Sequence, residues 1–310
     1  MNLPGNLFYF NWEITLMEWL QGHLSGEAVA VLSKFSMLGE TLVLVVVLGY
    51  FYWCYDKEIG KFIGMNYLVG NLANTMLKNA FLRLRPFYAS DKIQLLRKVD
   101  ESADIYDVTR QGYAFPSGHA QAAAVIYGSV TASFKKKWLV VLTVVLCLLV
   151  GISRVVVGAH YPTDVLFGWA LGASMIFVVP WVRRKIPNWW AFSLVLALLG
   201  MPGFLYCTST DYYTSYGMML GFLLAVPFEE KYVRFENTRS ILRSFLRLAG
   251  GGAVYFGLNT VLKLPFSSEF LEAGTFASHL VRTIRYGMII FVVIGVYPIV
   301  FKYTAKIGKK

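Results

Sequence analysis

Long apolar segments alternate with short polar ones along most of the chain, and this pattern predicts membrane-spanning helices. The predicted spans are 38–54, 62–84, 116–134, 138–158, 162–182, 189–207, 214–228, 243–264 and 280–302. A bilayer core of about 30 Å requires roughly 20 apolar residues in a helix. Most of these segments approach that length, although 214–228 is short. The predicted fold class is therefore all-α: a polytopic integral membrane helical bundle with about nine transmembrane helices.

Residues 7–24 depart from the apolar pattern because they mix aromatic side chains with Glu13, Glu18 and His23. Tryptophan and tyrosine are enriched at membrane–water interfaces, where amphipathic helices lie in the plane of the membrane. The segment is too polar to span, so we predict a short helix at the membrane surface. His23 is expected to be a solvated residue of that helix.

Basic residues are divided unequally between the predicted loops. One set of loops holds 15 lysines and arginines: 55–61, 135–137, 183–185, 229–243 and 303–310. The loops on the other side hold five, all within 85–115, which also carries five acidic residues. Cytoplasmic loops of membrane proteins are enriched in lysine and arginine. The first set is therefore predicted to be cytoplasmic, which places the N-terminus outside and the C-terminus in the cytoplasm.

Composition agrees with a membrane protein, since 56% of the residues are hydrophobic and 15% are charged, against about 25% charged in soluble domains. The net charge of +11 is explained by the cytoplasmic loops, so no nucleic-acid partner is predicted. Cys54, Cys147 and Cys207 show neither zinc-ligand spacing nor a disulfide framework. We interpret them as packing residues, because free cysteine behaves as a small buried hydrophobe.

The residues suited to chemistry gather in three blocks between positions 78 and 164. Histidine is scarce, with four in the chain, and two of the four lie in these blocks. The blocks are Lys78-…-Arg85-Pro86, Pro116-Ser117-Gly118-His119 and Ser153-Arg154-…-His160-…-Asp164. In the predicted topology all three blocks meet at the outer membrane face, a result that the motif spacing did not impose.

This spacing, KxxxxxxRP, PSGH and SRxxxxxHxxxD, resembles the signature of the type-2 phosphatidic acid phosphatase superfamily, which includes membrane lipid phosphatases and glucose-6-phosphatase. The resemblance covers about 78–164 and implies metal-independent phosphatase activity with no cofactor. It implies that His160 is a nucleophile forming a phosphohistidine, that Asp164 orients it, and that His119 protonates the leaving group. The remaining residues are implied to hold the phosphate: Lys78, Arg85, Ser117, Gly118 and Arg154.

The residues themselves agree with these roles. A phosphate monoester needs cations around its oxygens, and arginine offers a planar fork for bidentate contacts. Ser117 to His119 opens a helix, whose first amides favour an anion, and Gly118 permits close approach. Asp164, four residues after His160, is expected to hold one ring nitrogen so that the other can attack. The alternative is that each cation only extends to the membrane interface. Three cations with two histidines and an aspartate at the same depth disfavour it.

The function predicted is hydrolysis of a lipid phosphomonoester or lipid pyrophosphate at the outer face, in a bacterial inner membrane. Residues 1–207 are predicted to form the phosphatase core and 208–310 additional C-terminal helices. Three alternatives remain open: a soluble sugar phosphate as substrate, anion transport without hydrolysis, and transfer of the phosphoryl group to an acceptor other than water. The predicted partners are a phosphorylated lipid and the membrane, and the oligomeric state is left open. His279 is interpreted as structural.

Overall fold

The structure is a computed structural model that describes residues 4–304, without the side chains of Thr41, Leu42, Leu44 and Thr304. These residues form helices and connecting turns with no strand, and Asn6 and Arg83 make an isolated bridge. The all-α prediction is therefore confirmed for the described part of the chain. The last residues of the predicted cytoplasmic tail, 305–310, lie outside it.

The α-helices are numbered in chain order. They are α1 (Asn11–His23), α2 (Gly26–Lys34), α3 (Thr41–Tyr50), α4 (Lys57–Phe81), α5 (Val108–Gln111), α6 (Gly118–Phe134), α7 (Lys137–Val156), α8 (Pro162–Lys185), α9 (Trp189–Gly200), α10 (Thr210–Phe228), α11 (Ile241–Val261), α12 (Ser268–Glu272), α13 (Phe276–Ile290) and α14 (Phe301–Thr304). Tighter 3₁₀ turns occupy Phe35–Gly39, Pro86–Tyr88, Met201–Leu205 and Tyr297–Val300. Wider π turns occupy Phe51–Tyr55, Glu229–Val233 and Phe291–Val296.

Several helices have the length and apolarity of membrane spans. Within the described residues three are both long and apolar enough to cross a bilayer, Lys137–Val156, Pro162–Lys185 and Phe276–Tyr303, and Val45–Tyr55 and Trp189–Leu205 are shorter apolar helices. The protein is thus an integral membrane protein, with apolar helices at five of the nine predicted segments. The count of nine spans and their orientation stay predictions.

Among the differences between predicted and observed helix ends, two at the motif blocks change where site residues lie. Helix α4 ends at Phe81 because Leu82 adopts a left-handed φ of 51°, so Arg85 lies in extended chain before Pro86 and not on the helix. Helix α6 begins at Gly118 with Ser117 as its N-cap. Pro116, which we expected in the first helical turn, precedes the cap and follows a cis peptide bond.

The described chain divides into two units, and the motif blocks all belong to the first, which comprises Met1–Leu44 and Ala73–Val178. Its core joins α1, α6, α7, α8 and the loop before α6. The core residues are Met17, Ile93, Ala114, Ala120, Val155, Tyr161 and Val165. Apolar burial around this cluster holds the amino-terminal ends of α6 and α8 together, next to the C-terminal end of α7.

Glycines on α8 allow it to approach α6 at backbone distance. A Cβ added at Gly168 would lie 2.7 Å from the carbonyl oxygen of Ser117, and one added at Gly172 would lie 2.5 Å from that of Gln121. Any larger residue at either position would push the two helices apart. This contact fixes the start of α6 against the second and third turns of α8.

The second unit comprises Val45–Leu72 and Val179–Lys310. Helices α10 and α13 pack at backbone distance, since a Cβ at Gly217 would lie 2.2 Å from the carbonyl oxygen of Thr283. Cβ atoms added at Gly250 and Gly251 would meet the side chains of Tyr297 and Trp53. The predicted boundary at residue 207 between core and added helices stays a prediction.

Candidate active site

His160 lies in the turn between α7 and α8, and its side chain is 3% exposed. Its Nδ1 lies 2.7 Å from the carbonyl oxygen of Ala114. A carbonyl oxygen only accepts hydrogen bonds, so Nδ1 carries the proton in this contact. In the neutral ring the lone pair is then on Nε2, which is the nitrogen that a nucleophilic histidine needs.

Several other predicted site residues lie near this imidazole. The positive charges that act on it are Arg85, Lys78 and Arg154, and His119 also contributes. Burial, and then these charges, hold the pKa of His160 well below its ordinary value. The three blocks therefore converge in space, and the imidazole is kept neutral.

Asp164 is fully buried in the first turn of α8. Its Oδ2 lies 3.6 Å from Nδ1 of His160, which is longer than a hydrogen bond, and accepts from the backbone N–H of Tyr161 at 2.8 Å. Its own carbonyl accepts from the N–H of Ser117 at 3.0 Å. Asp164 therefore fixes the main chain on both sides of the site, and the direct hydrogen bond that we expected with His160 is made by Ala114.

The N-terminal end of α6 presents the groups expected for an anion. Ser117 is fully buried, and its Oγ has no hydrogen-bond partner among the described residues. Beyond Gly118 there is room, because the atom nearest to an added Cβ is Oδ1 of Asn74 at 3.7 Å. His119 follows in the first turn of α6 and is half-buried. The first amides of a helix lack acceptors within it, so this end can receive a phosphate.

Arg154 lies in the last turn of α7, beside these groups, and is 2% exposed. Its Nη1 donates to Oγ of Ser36 at 3.2 Å, and its Nε has no partner in the described part of the chain. Ser153 stabilises this corner through a 2.9 Å hydrogen bond with Ser36. A buried guanidinium with a free donor and no carboxylate hydrogen-bonded to it in the described chain is suited to an anionic ligand.

Lys78 and Arg85 hold the loop that precedes α6. Lys78 Nζ donates to the carbonyl of Tyr113 at 2.6 Å. Arg85 is 4% exposed, and its guanidinium donates to the carbonyls of Ala159 at 2.7 Å and of Gln111 at 2.5 Å. These cations therefore also position the backbone around His160, a structural role that the motif alone does not reveal.

Two buried residues of the site were missed by the sequence argument. Arg83, inside the first block, is 2% exposed and donates to Asp164 Oδ1 at 2.5 Å and to Glu13 at 3.0 Å. Glu13, which we assigned to a surface helix, is fully buried. Two features of the sequence could have indicated these residues. Glu13 is a carboxylate within an aromatic segment, and Arg83 is a third cation within the first block. His23 is exposed as expected, and His279 stacks on Tyr213 at 4.0 Å.

These features define a helical membrane protein in which a buried histidine, three cations and the N-terminus of a helix lie together. A family model described as the PAP2 superfamily matches residues 61–188. A second, described as the transmembrane extension of PAP2 superfamily phosphatases, matches residues 213–309. The chain belongs to the PAP2 superfamily and is a hydrolase of phosphoric monoesters or diphosphates.

Several named proteins are similar to this chain. Phosphatidylglycerophosphatase B of Bacillus subtilis is 32% identical over 47% of this chain and 68% of its own length. An undecaprenyl-diphosphatase of Sulfolobus acidocaldarius is 30% identical over 39% of this chain, and a lipid A 1-phosphatase of Rhizobium johnstonii is 28% identical over 44%. The chain spans 54% and 55% of these two relatives, about half of their length.

One solved structure is also similar: the crystal structure of a transmembrane PAP2-type phosphatidylglycerolphosphate phosphatase from Bacillus subtilis. It shares 25% identity, covers 56% of this chain and 86% of that chain, and has a TM-score of 0.43.

Proposed function

We propose that the protein hydrolyses a lipid phosphomonoester or lipid pyrophosphate through a phosphohistidine intermediate, without a metal, at the outer face of the membrane. The observation that carries this proposal is the buried His160, whose Nδ1 is held by Ala114 at 2.7 Å while Lys78, Arg85 and Arg154 act on the ring. The names of the similar proteins, which are lipid phosphatases, support a lipid as the substrate.

In the first step, Nε2 of His160 attacks phosphorus and forms a P–N bond while the P–O bond to the lipid breaks. The leaving oxygen takes a proton from His119, and a free lipid alcohol (or a lipid monophosphate, from a pyrophosphate) departs. Negative charge spreads over the equatorial oxygens of the phosphoryl group in this step. The cations and the amides that open α6 are placed to stabilise it.

In the second step, a water molecule attacks the phosphohistidine. The water gives up a proton to His119, the P–N bond breaks, and inorganic phosphate is released with His160 restored. Asp164, 3.6 Å from Nδ1, stabilises the positive charge that the ring carries in the intermediate. Three cations take the place that a metal ion has in other phosphatases, so a chelator is expected to leave the rate unchanged.

The outer-face assignment rests on the distribution of charge in the loops. The motif blocks lie at the ends of helices opposite to the basic loops 135–137 and 183–185, and such loops are cytoplasmic in most membrane proteins. We therefore place the site toward the exterior or periplasm of a bacterial inner membrane. Cysteine-accessibility labelling of intact cells at residue 136 and at residue 106 tests this, and labelling of 136 from outside contradicts it.

The experiment that tests the function measures phosphate release by the purified protein in detergent micelles. The substrates are phosphatidic acid, a phosphatidylglycerophosphate, an isoprenyl diphosphate and glucose 6-phosphate, each with and without EDTA. Release from one of the lipids, lost in His160→Ala, supports the proposal. Release from the sugar phosphate alone assigns a soluble substrate. If the protein reconstituted into vesicles carries phosphate across the membrane and releases none from the substrates, its activity is transport. Loss of activity in EDTA with recovery in Mg²⁺ contradicts the metal-free mechanism.

A further inference from the structure

A buried ion network links the N-terminal helix to the active site. Arg83 is 2% exposed and lies between two fully buried carboxylates. Its Nη1 donates to Asp164 Oδ1 at 2.5 Å and to Thr163 Oγ1 at 2.8 Å, and its Nη2 donates to Glu13 Oε2 at 3.0 Å. All these residues belong to the first unit.

The guanidinium of Arg83 is fixed on its faces as well as on its edges. Its central carbon lies 3.9 Å from the ring centroid of Tyr161 and 4.8 Å from that of Phe8. Its Nε donates to the carbonyl of Phe8 at 2.8 Å. Planar stacking and a rigid fork of donors are properties of arginine that lysine lacks. These contacts hold Arg83 in one position. Its guanidinium packs on the ring of Tyr161, the residue next to His160, and thereby orders it.

Glu13 uses both carboxylate oxygens to hold the start of α8. Oε1 accepts from the backbone N–H of Thr163 at 3.0 Å and from its hydroxyl at 2.6 Å. Oε2 accepts from the N–H of Phe10 at 2.9 Å in addition to Arg83. A carboxylate at a helix N-terminus is stabilised by the free amides there. Glu13, which lies on α1, thus caps the start of α8 at Thr163. Thr163 is three residues after His160, the proposed nucleophile.

We propose that Glu13 and Arg83 are positioning residues for the phosphatase reaction, which act on His160 through Asp164 and the first turn of α8. The inference rests on the proposed function, because it assigns these residues to the same reaction. Neither side chain reaches the phosphoryl group: Arg83 is occupied by two carboxylates, a hydroxyl and a carbonyl. Two carboxylates with one guanidinium also leave net negative charge beside an imidazole that becomes positive in the intermediate.

The test compares Glu13→Gln with Glu229→Gln, a matched control in the second unit. Glu229 is also fully buried, pairs with Lys57 Nζ at 2.8 Å and accepts from the N–H of Phe235 at 3.0 Å. Both variants lose one buried charge and both are expected to unfold at lower temperature in detergent. Displacement of catalytic groups by about 1 Å can lower rates about 100-fold. We expect Glu13→Gln to lower kcat by about tenfold to 100-fold and Glu229→Gln to leave it within a factor of two.

Two further readouts separate positioning from binding and from general destabilisation. Inhibition by inorganic phosphate should be unchanged in Glu13→Gln, because Lys78, Arg85 and Arg154 remain. In the Asp164→Asn background, Glu13→Gln should lower kcat by less than it does in the wild-type background, because the part of its effect that passes through the carboxylate of Asp164 is already lost. If Glu13→Gln does not yield folded protein, Thr163→Val removes only the hydroxyl that joins Arg83 to Glu13 and should lower kcat several-fold.

The inference is overturned by wild-type kcat in Glu13→Gln, by an equal loss in Glu229→Gln, or by an additive loss in the double variant. Weaker inhibition by phosphate in Glu13→Gln also overturns it, since the residue would then act in binding. A wild-type protein that releases phosphate from none of the substrates refutes the proposed function instead, so the two failures are distinguishable.

Discussion

Nδ1 of His160 donates a hydrogen bond to the carbonyl oxygen of Ala114 at 2.7 Å, while the nearest oxygen of Asp164 stands 3.6 Å from the same nitrogen. Ala114 is itself held by a 2.8 Å hydrogen bond from its N–H to the carbonyl of Arg83. The tautomer of the proposed nucleophile is therefore set by main chain from the loop before α6. Asp164 is left free to anchor Tyr161 and Ser117.

This arrangement predicts that Asp164→Asn lowers turnover without preventing formation of the phosphohistidine. The carbonyl of Ala114 still orients the ring in this variant, whereas the charge that stabilises the phosphorylated imidazole is lost. We expect a reduction in kcat of about 100-fold, within the range that misplaced or unsupported catalytic groups produce. Rapid-quench kinetics with a ³²P-labelled lipid phosphate measure both the turnover rate and the formation of labelled protein. Absence of labelled protein in Asp164→Asn would mean that the carboxylate is needed for attack itself.

His160→Ala is expected to remove the covalent intermediate completely. The labelled protein should be stable in base and labile in acid, as phosphohistidine is, and the label should be absent from the variant. Asn79→Ala serves as a control, because Asn79 is buried on α4 one residue after Lys78 and hydrogen-bonds to Thr75. Persistent acid-labile label in His160→Ala would assign the nucleophile to another residue.

His119→Ala should affect substrates according to their leaving groups. General acid catalysis contributes about 100-fold to 10,000-fold where the departing oxygen is strongly basic. We expect at least a 100-fold loss for a lipid phosphate and less than about tenfold for p-nitrophenyl phosphate, whose phenolate leaves without a proton. Steady-state rates for the two substrates give the ratio. Equal losses for both would exclude the assignment of His119 as the acid.

The pH dependence of kcat/KM should report the lowered pKa of His160. Burial and the cations keep the free ring neutral, so the fall in rate caused by its protonation should lie below pH 6.5, the ordinary value. Neutralising one cation in Lys78→Met removes repulsion of the imidazolium and raises the pKa, so the acid limb should move to higher pH. The wild-type enzyme and Lys78→Met are measured with the same substrate, so the ionisation of the substrate contributes equally to both pH profiles. If the acid limb of the profile stays at the same pH in Lys78→Met, or moves to lower pH, this electrostatic explanation is wrong.

Gly168→Ala should damage the site from a distance. Its Cβ would lie 2.7 Å from the carbonyl oxygen of Ser117, which forces α8 away from α6, and overpacking of this kind costs about 1–3 kcal/mol. Turnover should fall as well, because Ser117 and Asp164 are joined across this contact. Gly252→Ala is the control, since nothing lies within 4 Å of its added Cβ. Thermal unfolding in detergent and kcat are measured for both, and an unchanged Gly168→Ala would refute the packing argument.

The residues proposed to act in the reaction could be identified from the sequence more completely than the residues that hold them in place. Lys78, Arg85, His119, Arg154 and His160 could be selected because spacing and residue type mark them. Glu13 could not, since its partner Arg83 is 70 residues away and local pattern cannot distinguish a buried carboxylate from a solvated one. The role of Ala114 was equally hidden, because any residue supplies a carbonyl oxygen.

Hydrophobic pattern and motif spacing by themselves determined the all-helical membrane class, the approximate helices and the superfamily. These features are local, because each depends on a run of about 20 residues or on fixed intervals along the chain. Only the tertiary structure decided that α4 stops at Phe81, that a main-chain carbonyl holds His160, and that Glu13 bonds both to Arg83 and to the first turn of α8. Those contacts depend on how helices distant in sequence pack against one another, and burial then makes each unpaired charge costly enough to require its partner.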